Sequence, residues 1–155
     1  MIKFLPLTLF AFFTSSLLAI DRLPEKDDKK YLCIAEEVTG FKLGDKKKWV
    51  SSRFEVGEKY ILREIKKAEA GYRAEQTTFG LYKFSSNYPS YRCEDKNSAG
   101  TYLCFMNASK HLGTFNFSPS TGRFLLTYNG GYWVPEDNPY YKHTPTMTIG
   151  ACAEL

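Results

Sequence analysis

A chain of 155 residues with a formal charge of +4, 43% hydrophobic and 25% charged residues has the size and composition of one folded domain. Basic residues cluster at Lys46-Lys47-Lys48 and Lys66-Lys67, but acids are interspersed throughout, which argues against a dedicated nucleic-acid surface. Aromatic residues make up 16% of the chain, with eleven tyrosines and twelve phenylalanines, and this bias favours strands.

Residues 1–19 begin with a positive Lys3, continue as an apolar run from Phe4 to Leu18, and end on the small Ala19. That order is the signature of a cleaved secretory signal peptide. The run falls short of the ~20 apolar residues needed to span a bilayer, so the mature chain is expected to carry no transmembrane segment. The expected location is periplasmic or secreted. No cysteine directly follows the run, which argues against a lipoprotein anchor. From Asp21 to Lys30 every residue is charged except Leu23 and Pro24. Such a stretch cannot bury enough apolar surface to offset its ordering entropy, so residues 20–30 read as a disordered tail. The domain proper then covers residues 31–155.

Within it, Tyr31 to Ala35 reads as a strand, followed by a loop around Gly40 and Gly44. Lys48 to Val56 follows, with Val50, Phe54 and Val56 on one parity, and turns at Gly57 into a strand from Lys59 to Ile65. Glu64 to Gln76 has helical composition interrupted by Gly71, and reads as a short helix or a loop. Strands are expected at 80–85, 90–95 and 101–106. The clearest signal lies at residues 113–128, where Phe115 and Phe117 alternate with polar residues before the turn Pro119 to Gly122. Folding there sets Phe117 opposite Phe124 and Phe115 opposite Leu126. Residues 129–145 form a loop rich in Gly, Pro and aromatics. Thr146 to Cys152 closes the chain, with Met147, Ile149 and Ala151 as the alternating apolar set. Short strands at this spacing predict an all-β fold, a single antiparallel β-barrel or sandwich of about eight strands.

The four cysteines are Cys33, Cys93, Cys104 and Cys152, an even number behind a signal peptide. Their spacing matches no zinc site, and no C-x-x-C pair is present. A hairpin centred on Asn97-Ser98-Ala99-Gly100 sets Cys93 opposite Cys104 at a non-hydrogen-bonded position, where side chains come closest. That leaves Cys33 to join Cys152, the first strand to the last.

The layout Tyr31-Leu32-Cys33, Gly40-Phe41, Phe54 and Tyr60-Ile61-Leu62 resembles the opening of small secreted proteins common in alphaproteobacteria. Tyr91-Arg92-Cys93, Cys104, Phe115 with Phe124, and Gly150-Ala151-Cys152 match the remaining elements of that family. The resemblance implies a bacterial periplasmic or secreted protein and supplies no activity or site.

No catalytic constellation emerges. His111 and His143 are the only histidines, neither in a recognisable motif, and they lack metal-ligand spacing. No metal or cofactor is expected. The loop residues Tyr128, Tyr132, Trp133, Tyr140 and Tyr141 are the surface candidates, able either to stack on a ligand or to cap the end of the barrel. Tyr132, Trp133, Tyr140 and Tyr141 are accordingly the candidate ligand-binding residues. The expected function is a non-catalytic binding module of the bacterial envelope, for a protein, glycan or small ligand. One alternative is an inhibitor of a cell-wall hydrolase, because Ser98-Ala99-Gly100-Thr101-Tyr102 resembles the Ser-Gly-rich loop of periplasmic lysozyme inhibitors. A basic domain would, however, repel a cationic lysozyme. An envelope enzyme is the third reading, and no assembled acid, base or nucleophile supports it.

Overall fold

The computed structural model describes residues 29–66, 78–132 and 143–155. Within them the strands are β1 (Tyr31–Leu43), β2 (Trp49–Phe54), β3 (Lys59–Glu64), β4 (Phe79–Lys83), β5 (Tyr91–Cys93), β6 (Tyr102–Met106), β7 (Gly113–Ser118), β8 (Arg123–Tyr128) and β9 (Thr146–Glu154). All pair antiparallel, each of β3 to β9 with its neighbour in sequence, and β1 bonds both β3 and β9. Eight strands therefore close into a barrel, which decides between barrel and sandwich. The ninth, β2, lies beside the far half of β1 from Val38 to Leu43. Among the described residues there is no α-helix, only a 3₁₀ turn at Asp45–Lys47. Glu64 ends β3, and Ile65 is buried with its N–H donating to the Thr78 carbonyl at 2.8 Å. The rest of the segment expected as helix or loop, residues 67–76, lies outside the described residues. So do residues 1–28, with the signal peptide and most of the charged tail.

The Phe-rich hairpin has the expected register, Phe117 opposite Phe124 and Phe115 opposite Leu126. The Gly122 N–H closes its turn on the Ser118 carbonyl at 2.9 Å. The β5–β6 hairpin likewise sets Cys93 opposite Cys104. Its turn is tied by the Asn97 Oδ1, which accepts from the N–H groups of Ala99 and Thr101, each at 3.0 Å. The Glu94 N–H donates to the Leu103 carbonyl, so the adjacent cysteines occupy the non-hydrogen-bonded position. Both expected disulfides form, Cys93–Cys104 and Cys33–Cys152. The second joins residues directly opposite across β1 and β9, the seam that closes the barrel.

Two strand expectations are corrected. β1 runs through Gly40 to Leu43 instead of ending in a loop. A bulge between Ala35 and Glu37 breaks its alternation: Tyr31, Cys33 and Ala35 face inward, Glu36 and Glu37 are both exposed, and Val38 returns to the inside. One inserted residue exchanges the two faces, so a strand crossing a bulge loses its period-2 signal. In β9 the face is the reverse of the one expected. Met147 and Ile149 are each 47% exposed, whereas Thr148 and Gly150 are buried. The disulfide holds Cys152 toward the interior, and residues two and four positions before it must share its side.

One end of the interior is filled with rings. Tyr31, Phe79, Tyr102 and Phe117 interlock there, with the Tyr31–Phe117 centroids 4.9 Å apart and the Phe79–Tyr102 centroids 5.1 Å apart. Phe115 and Phe124 continue the packing at 5.3 Å, beside Leu62, Leu81 and the cysteines. Each such side chain contributes on the order of 1.5–3 kcal/mol by leaving water. The two disulfides should differ in effect because they close chain separations of 119 and 11 residues. The chain-entropy relation gives roughly 4–5 kcal/mol for the longer loop and roughly 3 kcal/mol for the shorter. Urea unfolding of Cys33→Ala/Cys152→Ala is therefore expected to show the larger loss, exceeding that of Cys93→Ala/Cys104→Ala by about 2 kcal/mol.

Candidate functional site

The opposite end of the barrel is open. Here the inward positions of the strands carry Val38, Tyr60, Tyr91, Met106, Leu126 and Thr148 around a cavity of about 760 Å³. Polar groups stand at its rim, namely Glu55, Glu58, Lys83, Asn107 and His143. The Lys83 Nζ donates to Glu58 Oε1 at 2.8 Å, and both side chains are about half exposed. A shallower groove of about 610 Å³ shares Glu55, Glu58 and Lys83 with this rim and continues past Val56 and Phe84. Phe84 is 67% exposed, which leaves an apolar ring on the approach to the mouth.

Three tyrosine hydroxyls gather at this end. Tyr60 and Tyr91 are buried, 5% and 4% exposed, and Tyr128 is half-buried. Burial holds the Tyr60 hydroxyl well above its ordinary pKa, and the Glu58 carboxylate beside it adds to the effect. Burial does the same for Tyr91, with Tyr128 and then Glu58 as the contributing neighbours. Tyr128 is also raised, by burial. All three phenols thus stay protonated as hydrogen-bond donors across the ordinary pH range.

Local sequence explains how the rings reach these places. Gly113 begins β7 beside Tyr91, where an added Cβ would stand 2.5 Å from the Thr127 carbonyl oxygen and 3.1 Å from the Tyr91 hydroxyl, so the close backbone approach calls for glycine and the ring keeps its room. Gly131 has φ +87° and lies directly against the His143 carbonyl, which brings the His143 segment against the end of β8. The result is a 2.6 Å hydrogen bond between the Tyr128 hydroxyl and His143 Nδ1. Among the described residues no cluster of His, Cys, Asp or Glu forms a metal site.

Of the candidates named from sequence, Tyr128 borders the mouth. Tyr132 is 60% exposed and rests on Trp49 of β2, with ring centroids 5.7 Å apart, away from the cavity lining. Trp133, Tyr140 and Tyr141 lie outside the described residues. His111 is exposed on the β6–β7 connection. The Ser98-Ala99-Gly100 turn sits between β5 and β6 at the filled end, opposite the mouth. Sequence reasoning missed Tyr60, Tyr91, Glu58 and Thr148. The available signal was parity: Tyr91 stands two positions before Cys93, and Thr148 four before Cys152, so each shares its cysteine's inward side.

The raised phenols have a consequence at alkaline pH. A folded state that retains protons released by the unfolded chain has its full stability below the ordinary tyrosine value of 10.0 and loses it as pH rises beyond. Urea midpoints should stay level to about pH 9 and then fall. The Tyr60→Phe/Tyr91→Phe variant, followed by circular dichroism, should fall less steeply.

Among the described residues no helix is long and apolar enough to cross a membrane, and the two disulfides fit an oxidising compartment outside the cytoplasm. No protein-family model matches the chain, and neither a curated protein nor a solved structure matches it.

Proposed function

We propose that this protein is an exported, non-catalytic binding module that holds a small, largely apolar ligand in the open mouth of its barrel. The observation that carries this reading is the asymmetry of the interior. Rings pack one end closed, while the other keeps a cavity of about 760 Å³, within the range of small-molecule sites. Its walls are apolar side chains and tyrosine rings, and its polar groups converge from several strands at the rim. Small closed barrels with a wide end hold ligands in this way.

Export through the signal peptide of residues 1–19 to the periplasm or beyond completes the reading. It agrees with two disulfides that need an oxidising compartment to persist. The neighbouring groove with exposed Phe84 offers an apolar approach to the mouth.

The test is binding of Nile red, a neutral apolar dye whose emission rises when it leaves water, to the oxidised protein. Saturable binding is expected. Filling the mouth with Leu126→Trp should weaken it at least tenfold while thermal unfolding remains cooperative. A dye signal that is absent, or indifferent to the plug, would remove the mouth as a binding site.

A further inference from the structure

Tyr91 and Thr148 are buried in the wall of this mouth, 4% and 5% exposed, and both line the cavity. Among the described residues, neither hydroxyl has a hydrogen-bond partner; what surrounds that of Tyr91 is the charge of Glu58 and the neighbouring Tyr128. Buried polar groups without partners are rare in folded proteins, because each costs the desolvation of a group that regains nothing. Two in one cavity, facing an otherwise apolar lining, mark places where an occupant supplies the missing partners. The sequence could have placed an isosteric valine at 148 and a phenylalanine at 91 with no loss of packing, and it carries hydroxyls instead.

The charges around the cavity narrow the chemistry of that occupant. An anionic head would meet the carboxylates of Glu55 and Glu58 on its way in, and the Lys83 ammonium is already held by Glu58 at 2.8 Å. A cationic head would have to shed its water beside Tyr91 and Thr148, where among the described residues no carboxylate is buried to receive it, since Glu58 is about half exposed at the rim. A neutral head carrying oxygens meets neither obstacle. The phenol of Tyr91 donates, and the Thr148 hydroxyl donates or accepts.

Resting on the reading of the mouth as a binding site, we infer that its ligand is a neutral amphiphile whose ester, carbonyl or hydroxyl oxygens bond the Tyr91 and Thr148 hydroxyls. The apolar chain then lies along Met106, Leu112 and Leu126.

The experiment is displacement of Nile red from the oxidised protein by three amphiphiles of equal chain length, monodecanoylglycerol, decanoate and decylamine. The neutral ester is expected to compete at concentrations about tenfold lower than either ion, as one or two hydrogen bonds require. Tyr91→Phe and Thr148→Val should each weaken the ester about fivefold or more, and weaken decanoate and decylamine less. The ligand-free variants should melt no lower than the parent, because the hydroxyls they lose have no partner to forfeit. Equal competition by all three amphiphiles, or ester affinity untouched by both substitutions, overturns the inference while plug-sensitive Nile red binding keeps the binding module. A lower melting point in the ligand-free variants also overturns it, by assigning the hydroxyls to the fold. If Nile red fails to bind at all, the mouth itself is not a site and both readings fall.

Discussion

Cys33 and Cys152 face each other across the β1–β9 seam, and a strand's side chains alternate, so one covalent bond decides which half of each strand looks inward. On β1 it sends Tyr31 and Ala35 to the interior with the cysteine; on β9 it sends Gly150 and Thr148. β8 pairs with β9 and puts Phe124 and Leu126 on the same side, and β7 follows with Phe115 and Phe117. Cys93–Cys104 fixes the opposite wall in the same way, carrying Tyr91 and Tyr102 inward. The two bridges set the parity of the whole lining, and the aromatic packing then has one arrangement to fill.

That lining is unequal along its length. Toward the start of β1 the inward positions hold large rings that meet edge to face or stack, as Tyr102 does on Phe117 with planes 5° apart. Such pairs add a specific geometry to the burial of their area. Toward the other end the inward positions hold Val38, Met106, Leu126 and Thr148, which are too small to reach across the barrel. The tyrosines there come from the wall and keep their hydroxyls near the rim. A closed floor and an open mouth thus arise from side-chain size at successive inward positions of the same strands.

Much of this frame was legible in the sequence, wherever alternation and turn chemistry agreed. The Phe hairpin and the Cys93–Cys104 hairpin are local, so their register followed from the position of the turn. The course of β1 was not legible, because the bulge near Glu36 exchanges its faces in mid-strand. The inward face of β9 was misread for another reason. Met147 and Ile149 are the larger apolar residues, yet Cys152 was the better guide, since a covalent bond outranks hydrophobicity in fixing a face. The mouth was hidden because its residues come from strands distant in the chain. Only closure of the barrel brings Tyr60, Tyr91 and Tyr128 together, and no spacing within one segment carries that information.

The extra strand β2 has a consequence for how the molecule meets others of its kind. Closure satisfies both edges of the remaining strands, but β2 pairs on one side with β1, and among the described residues nothing pairs with its other side. A bare ladder of N–H and C=O groups is a template on which further chains can add as strands. Here the edge is short and set between the exposed cations Lys47, Lys48 and Arg53. Like charges would be stacked at every repeat of an edge-to-edge array, so the chain carries a safeguard against self-association where, among the described residues, its sheet stays open.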